Sequence, residues 1–304
     1  MYYIKKIFKM IFSIYLIGTI SFLLLELIPG DPAIAILGVE STPEDIAMLR
    51  NSLGLNKPLL QQYIHWGSNL LSGDLGNSFK YGEPVSLLIK ERLPLTLEVA
   101  VITVIMVMVV SVPLSFSIYR IRNKYIKKGI DFLIGVCVSL PSFWLGIIFM
   151  FVFGVILRWF SIGYNGSITS LFIPCLVIAI PNIGVFTSYI RHNLGRELRE
   201  EYIKYLYVNG VKKFWLNIYI LKNSIIPIIP LIGILIIDLI TGVVIVEQIF
   251  SIPGIGRLMV TAVVNRDLPL VQGIIFYTSA VLVIINFLID ILYSLIDPRI
   301  RGGK

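Results

Sequence analysis

Six apolar runs, each long enough to cross a bilayer, constrain this chain more than any other feature. They cover about 10–28, 95–119, 131–157, 170–190, 224–247 and 270–296. A helix that spans the hydrocarbon core needs roughly 20 predominantly apolar residues, because lipid offers no partner to an open backbone polar group. The pattern predicts an all-α membrane protein with six transmembrane helices. Only 14% of the 304 residues are charged and 57% are hydrophobic, whereas a soluble domain carries about 25% charged residues. A chain this apolar cannot clothe itself in polar surface, so the bilayer is its expected solvent. We read the first run as a retained helix. Its apolar core is too long for a signal peptide, and Glu26, Pro29 and Asp31 follow it in place of a small-x-small cleavage site.

The net charge of +8, taken alone, suggests a nucleic-acid partner. Its distribution argues for a membrane protein and against nucleic acid. The N-terminus, 120–130, 191–222 and 297–304 carry 18 of the 26 Lys and Arg residues. The segments 29–94, 158–169 and 248–269 carry the other 8, most of them in 29–94, where seven acids outnumber them. Basic loops stay in the cytoplasm. Both termini are therefore expected inside, with a small external region after the first helix. The chain divides into an N-terminal helix (1–28), an external region (29–94) and a five-helix core (95–304) with a cytoplasmic loop at 191–222. In the external region Pro29-Gly30-Asp31-Pro32 and Ser72-Gly73-Asp74 are turn signals, and Thr42 is placed to cap a helix near 43–53.

Pro113, Pro141, Pro174, Pro181, Pro227 and Pro230 fall inside the predicted spans. They are either kinks in a packed bundle or bends in helices that rock around a path. Cys137 and Cys175 both lie in apolar runs and read as small core residues. His65 and His192 fall on opposite sides of the expected membrane, and neither has Cys or carboxylate neighbours at ligand spacing, so no metal site is expected.

The segment 200–227 is the longest polar interruption in the second half of the chain. It splits into two helix-favouring pieces. In 197–209, Leu198, Tyr202, Tyr205 or Leu206, and Asn209 recur at helical spacing with charges between them. In 212–221, Phe214, Trp215, Ile218 and Leu221 form an apolar set. Gly210 lets the backbone turn between the pieces at low steric cost. Both pieces are too short to be stable alone in water. Physics leaves two readings: a solvated loop with interfacial aromatics, or a docking element for a cytosolic protein.

Ionisable residues within spans are functional candidates, since burying a charge in lipid costs several kcal/mol. Glu26, Glu98, Asp131, Glu247 and Asp290 lie near span ends and are expected to reach water. Asp238 sits near mid-span, in LIIDLITG. It either faces a translocation path and meets a cationic group, or is buried and hydrogen-bonded to another helix.

The polar segment resembles the cytoplasmic coupling loop of ATP-binding-cassette importer permeases. Gly210 matches that loop's glycine, and Asn223 to Pro227 (NSIIP) matches its apolar-proline ending. Leu206 and Val208 stand where the family carries alanines, so this copy requires a partner groove of its own. Seven further segments resemble, in order, the dipeptide, oligopeptide and nickel permeases. They are LELIPGDPA (25–33), GDLGNSF (73–79), LPLTLEVA (93–100), SLPSFWLGIIF (139–149), VEQIFSIPGIGRL (246–258), RDLPLVQG (266–273) and IDPRIR (296–301).

The resemblance implies a pore-forming subunit that pairs with a second, homologous permease. Two cytosolic ATPases would dock on the coupling loops, contacting Glu201, Tyr202, Leu206, Val208 and Gly210. An extracytoplasmic binding protein would deliver peptides, nickel or metal chelates. The chain has no G-x-x-x-x-G-K-[ST] phosphate loop. It is therefore expected to be no enzyme and to carry no cofactor, ATP–Mg being held by the partner ATPases. Pro253, Gly254 and Gly256 are expected in a tight external turn. Arg266 and Asp267 are expected to be exposed, as turn residues or as rim contacts to the binding protein. Asp297, Pro298 and Arg299 are expected to end the last helix. An integral-membrane enzyme would need a set of acids or histidines facing one pocket, and the sequence offers none. A stand-alone secondary transporter or channel leaves the 200–227 segment without a role.

Overall fold

A computed structural model describes residues 2–26, 32–37, 41–52, 56–161 and 163–296. Among these all regular structure is helical. The elements are α1 (Tyr2–Glu26), α2 (Pro32–Leu37), α3 (Pro43–Ser52), α4 (Leu59–Leu71), α5 (Val85–Arg120), α6 (Lys124–Ser139) and α7 (Ser142–Phe149), which passes into a π-helical turn at Met150–Ile156. A 3₁₀ turn at Ile168–Leu171 leads into α8 (Phe172–Glu197), followed by α9 (Glu201–Val208) and α10 (Lys213–Ile225). After a second 3₁₀ turn at Ile226–Ile228 come α11 (Ile229–Gly242), α12 (Val244–Ile249), α13 (Ile255–Val264) and α14 (Leu268–Ile296).

Among the described residues five stretches are long and apolar enough to cross a membrane: Lys6–Leu23, Val85–Arg120, Ile168–Glu197, Lys213–Thr241 and Leu268–Leu292. The expected sixth span, 131–157, is not straight. It is a pair of helices, Lys124–Ser139 and Ser142–Ile156, bent by 92°. Pro141 explains the break: it has no N–H to donate, and it pushes Leu140 into extended backbone at φ −82, ψ 122. The expected fifth span, 224–247, is also interrupted. Pro227 and Pro230 start the 3₁₀ turn and α11, where a missing N–H does no harm. The region 29–94 is more helical than its turn signals suggest. Thr42 caps α3 as expected, its Oγ1 accepting from Asp45 N at 3.2 Å. The turn at Pro29-Gly30-Asp31 and the terminator at Asp297-Pro298-Arg299 lie outside the described residues.

The chain divides into two compact units, residues 1–96 with 253–284, and 97–252 with 285–304. The core of the first unites the start of α5 (Val85, Leu88, Ile89), α13 (Ile255, Leu258, Ala262) and the start of α14 (Leu270, Val271, Ile274). Gly273 allows this close approach, since a Cβ there would sit 2.4 Å from Val85 Cγ1. Thr96 of α5 caps α13 from outside that helix, its Oγ1 accepting from Ile255 N at 2.9 Å. A second cluster in this unit joins Phe22, Tyr63, Trp66 and Phe276, with ring centroids 5.4–6.5 Å apart. It fixes α4 against α1 and α14, and Thr19 and Tyr63 share a 2.7 Å hydrogen bond beside it.

In the second unit α8 is the central helix, with Ile173, Val177, Phe186, Ile190 and Leu194 buried. It contacts α6, α7 and α10. Polar ties supplement the apolar packing. Ser115 Oγ lies 2.6 Å from Ser111 O and 3.2 Å from Thr187 O. Arg191 pairs with Asp131, joining α8 to α6. Glu247 departs from expectation: it is buried in α12 and does not reach water at a span end.

Candidate functional site

The coupling segment forms two short helices set between α8 and the 3₁₀ turn at Pro227. Its first boundary differs from expectation. Glu197 is the last residue of α8, and α9 begins at Glu201 after a turn. The apolar face differs too. Ile203 is the buried residue of α9 and Leu206 is half-buried, while Tyr205, Tyr207 and Val208 are exposed. Ile203 and Leu206 are three residues apart and share a helix face. That spacing was the signal for this face, obscured by the tyrosines around it. Fully burying one isoleucine is worth about 1.5–3 kcal/mol, which is little anchorage for an eight-residue helix.

Gly210 ends α9 as expected, and the geometry gives the reason. Val211 N donates to Leu206 O and Gly210 N to Tyr207 O, both at 3.2 Å. This pair of bonds satisfies the last carbonyls of the helix and needs a left-handed residue between. Gly210 supplies it at φ +74, with nothing within 4 Å of where a Cβ would lie. Any substitution there is strained by its backbone rather than by crowding.

Beyond the turn, Phe214 and Trp215 at the start of α10 are exposed and pack edge to face, 5.7 Å apart. With Tyr205, Tyr207 (76% exposed) and Val208 (81% exposed) they give the segment a concentration of bare apolar surface. Glu201 is exposed in the first turn of α9, where a carboxylate favours the helix dipole.

Three polar side chains tie α9 to its neighbours. Tyr202 Oη donates to Glu197 Oε1. Asn223 Nδ2 donates to Glu197 Oε1 at 3.0 Å and to Tyr202 Oη at 2.7 Å. The hydrogen inventory closes: one hydroxyl proton and two amide protons serve three acceptor positions. Partial burial first, then the hydrogen bond to Glu197 and the charges of Glu197 and Glu200, push the Tyr202 phenol up to about 12. It stays a neutral donor throughout the physiological range. Pro227 lies in the 3₁₀ turn that follows α10.

Asp238 lies on the exposed side of α11, with Ile234 and Thr241, and makes no hydrogen bond or ion pair among the described residues. Among the described residues, then, Asp238 is neither buried nor bonded to another helix.

Two expectations for the 248–269 segment are corrected. The turn is confined to Ser251–Gly254, where Gly254 precedes α13, and Gly256 is buried within the first turn of that helix. Asp267, expected at an exposed rim, is 0% exposed. Arg266 beside it is exposed and adopts φ +53. The Asp267 carboxylate accepts from Ser78 Oγ, from Phe79 N and Lys80 N at 3.1 Å each, and from Leu270 N at 3.3 Å. It caps α14 and clasps the loop before α5, across about 190 residues of sequence. A burial of this kind is inaccessible to sequence periodicity, because the partners are remote.

The comparisons with known proteins follow the same lines. Residues 111–302 match the model of the family described as binding-protein-dependent transport system inner membrane component. Residues 1–100 match the N-terminal region described for such membrane components. The chain is 36% identical over 307 aligned positions to a putative peptide transport system permease protein of Brucella abortus, covering 98% of each chain. It is 35% identical over 311 positions to a probable peptide ABC transporter permease protein of Sinorhizobium fredii, covering 99% of each. It is also 32% identical over 300 positions to a nickel import system permease protein of Staphylococcus aureus, covering 97% of this chain and 90% of the relative. Matches to both models, over nearly the whole length, place the chain plainly: it belongs to the family of inner membrane components of binding-protein-dependent transport systems.

Proposed function

We propose that the chain lines the pore of an ATP-driven importer in a bacterial cytoplasmic membrane, with both termini inside and 29–94 outside. It pairs with a second, homologous permease and takes cargo from an extracytoplasmic binding protein. Two cytosolic ATPases, which hold ATP–Mg, dock on α9 and α10. The supporting observation is the bare apolar surface of Tyr205, Tyr207, Val208, Phe214 and Trp215. It lies in a segment, 191–222, that carries seven of the chain's basic residues and so belongs on the cytoplasmic side. Exposed aromatic anchors of this type mark protein interfaces. Closure of the ATPase pair then moves this handle, and the bundle changes its access from one side to the other.

Peptides and nickel are the cargo classes that the relatives' names suggest. Asp238 fits either, as an acceptor for a peptide ammonium group or for a cationic metal complex. An unpartnered carboxylate on a mid-span helix is too costly to leave in lipid. It faces a wet path or another subunit. Arg266, exposed, and Pro253, half-buried, lie toward the surface offered to the binding protein, while Gly254 is buried beneath it and Asp267 is buried beside Arg266.

The docking claim is tested by co-purifying the ATPases with the permease pair. Val208→Glu puts a charge into the apolar contact and should weaken association about tenfold or more, equivalent to about 1.4 kcal/mol. Gly210→Pro should also abolish it, because proline cannot adopt φ +74. For Asp238, uptake by Asp238→Asn should fall for cationic cargo. Unchanged uptake with unchanged preference removes it from the path.

A further inference from the structure

Docking explains why α9 carries exposed apolar residues. It leaves open why α9 moves anything when it is pushed. The helix has one buried side chain, Ile203. Its two ends are joints: the turn at 198–200 on one side and the left-handed Gly210 on the other. A short rod held at one point between two turns pivots, and a pivoting rod absorbs displacement instead of transmitting it.

The ring of Glu197, Tyr202 and Asn223 removes that freedom. Each residue belongs to a different helix: Glu197 ends α8, Tyr202 is in the first turn of α9, and Asn223 is in the last turn of α10. The three bonds among them close a triangle. No single bond can swing without breaking another. Both flanking helices lead directly into predicted spans, α8 as the central helix of its unit and α10 through Pro227 into α11.

We propose that Glu197, Tyr202 and Asn223 form a latch that makes α9 move as one body with α8 and α10, so that the latch sets how much transport each ATP hydrolysed achieves. They are positioning residues: they need not touch the ATPase or the cargo. This inference rests on the reading of α9 and α10 as the ATPase dock.

The test uses the full importer, with both permeases, both ATPases and the binding protein, reconstituted in liposomes. Tyr202→Phe keeps the ring but deletes the hydroxyl that both donates and accepts. The hydroxyl is engaged by Glu197 and Asn223, so any contact of Tyr202 with an ATPase falls to the ring, which phenylalanine keeps; the ATPases should still co-purify, and ATP hydrolysis should continue. Cargo moved per ATP should fall about threefold to tenfold, as expected from losing hydrogen bonds to a charged acceptor. Glu197→Gln keeps the acceptor oxygen and should retain most of the wild-type ratio, a rescue that a charge-based role would not show. Asn223→Ser, too short to bridge, should behave like Tyr202→Phe.

An unchanged ratio in both Tyr202→Phe and Asn223→Ser overturns the latch and leaves the docking reading intact. Loss of ATPase association in both, while Glu197→Gln assembles normally, overturns it too, because the latch acts after docking. If Val208→Glu and deletion of 197–215 leave the ATPases bound, the docking reading fails and the latch fails with it.

Discussion

Among the described helix ends that close on a left-handed residue, those of α9 and α13 use one plan with different residues. At the end of α9, Gly210 adopts φ +74, and paired backbone bonds run from Val211 and Gly210 to Leu206 and Tyr207. At the end of α13, Arg266 adopts φ +53, and the equivalent bonds run from Asp267 to Ala262 and from Arg266 to Val263. Outside glycine, a left-handed residue costs about 1–2 kcal/mol. Arg266 tolerates this because the next residue, Asp267, is buried and holds four donors. At Gly210 nothing packs against the turn, so the backbone must be at ease by itself. The buried Asp267 holds the Arg266 turn in place. The Gly210 turn is exposed, and its restraint comes from the partly exposed ring of Glu197, Tyr202 and Asn223. The clasp at Asp267 reads as a fixed joint and the α9 segment as a working one.

The largest expected effect tests the fixed joint. Asp267→Ala removes a cap and leaves the buried Ser78 Oγ and the partly buried Phe79 N and Lys80 N without their acceptor. We expect a loss of about 3 kcal/mol or more, read as a lower Tm of the purified chain and faster amide exchange at 78–80. A Tm unchanged within error would show that the clasp holds nothing. At the working joint the order reverses. Val208→Glu should leave the chain's own Tm nearly unchanged, since the residue is exposed, yet weaken ATPase binding about tenfold or more.

Gly210→Ala comes next. Its Cβ meets open space, so the expected penalty is the backbone term alone, about 1 kcal/mol or slightly more. Amide exchange in 201–208 should rise, and that in α13 should not. A smaller effect concerns pH. The Tyr202 phenol is raised to about 12 against an ordinary value of 10. A raised value means that its contribution is fully present below pH 10 and is lost as the pH climbs through about 12. The difference in stability between the wild type and Tyr202→Phe should therefore be flat through neutrality and shrink over that window. The smallest effect is Arg266→Gly, which relieves a left-handed non-glycine residue but frees the unfolded chain. It should change stability by no more than about 1 kcal/mol.

What could be read from the sequence follows the range of the interactions involved. Thr42 caps α3 through a residue three positions away, and it was legible. The six apolar runs were legible because spanning length is a property of each run alone. Pro141 signalled a break, but its 92° angle depends on how α6 and α7 pack on α8, which no local pattern encodes. Gly210 was legible as a turn because the bonds that demand it lie within six residues. Asp267 was misplaced at the surface because its acceptor role depends on Ser78, Phe79 and Lys80, far away in sequence. Glu197 and Asn223 lie 26 residues apart on helices that only the fold brings together. Asn223 was seen as part of a motif and Glu197 only as the start of a helix-favouring piece, while their bond to each other was not seen. Asp238 was legible as an anomaly, a carboxylate in an apolar run, and its place on an exposed helix face came from the packing of α11.

The most direct test of the working joint is co-purification of the two ATPases with the permease pair, comparing wild type, Val208→Glu and Asp267→Asn. Retention by wild type and Asp267→Asn, with loss from Val208→Glu, is the expected result. Equal retention by all three, persisting after deletion of 197–215, would contradict the assignment of α9 and α10 as the ATPase dock.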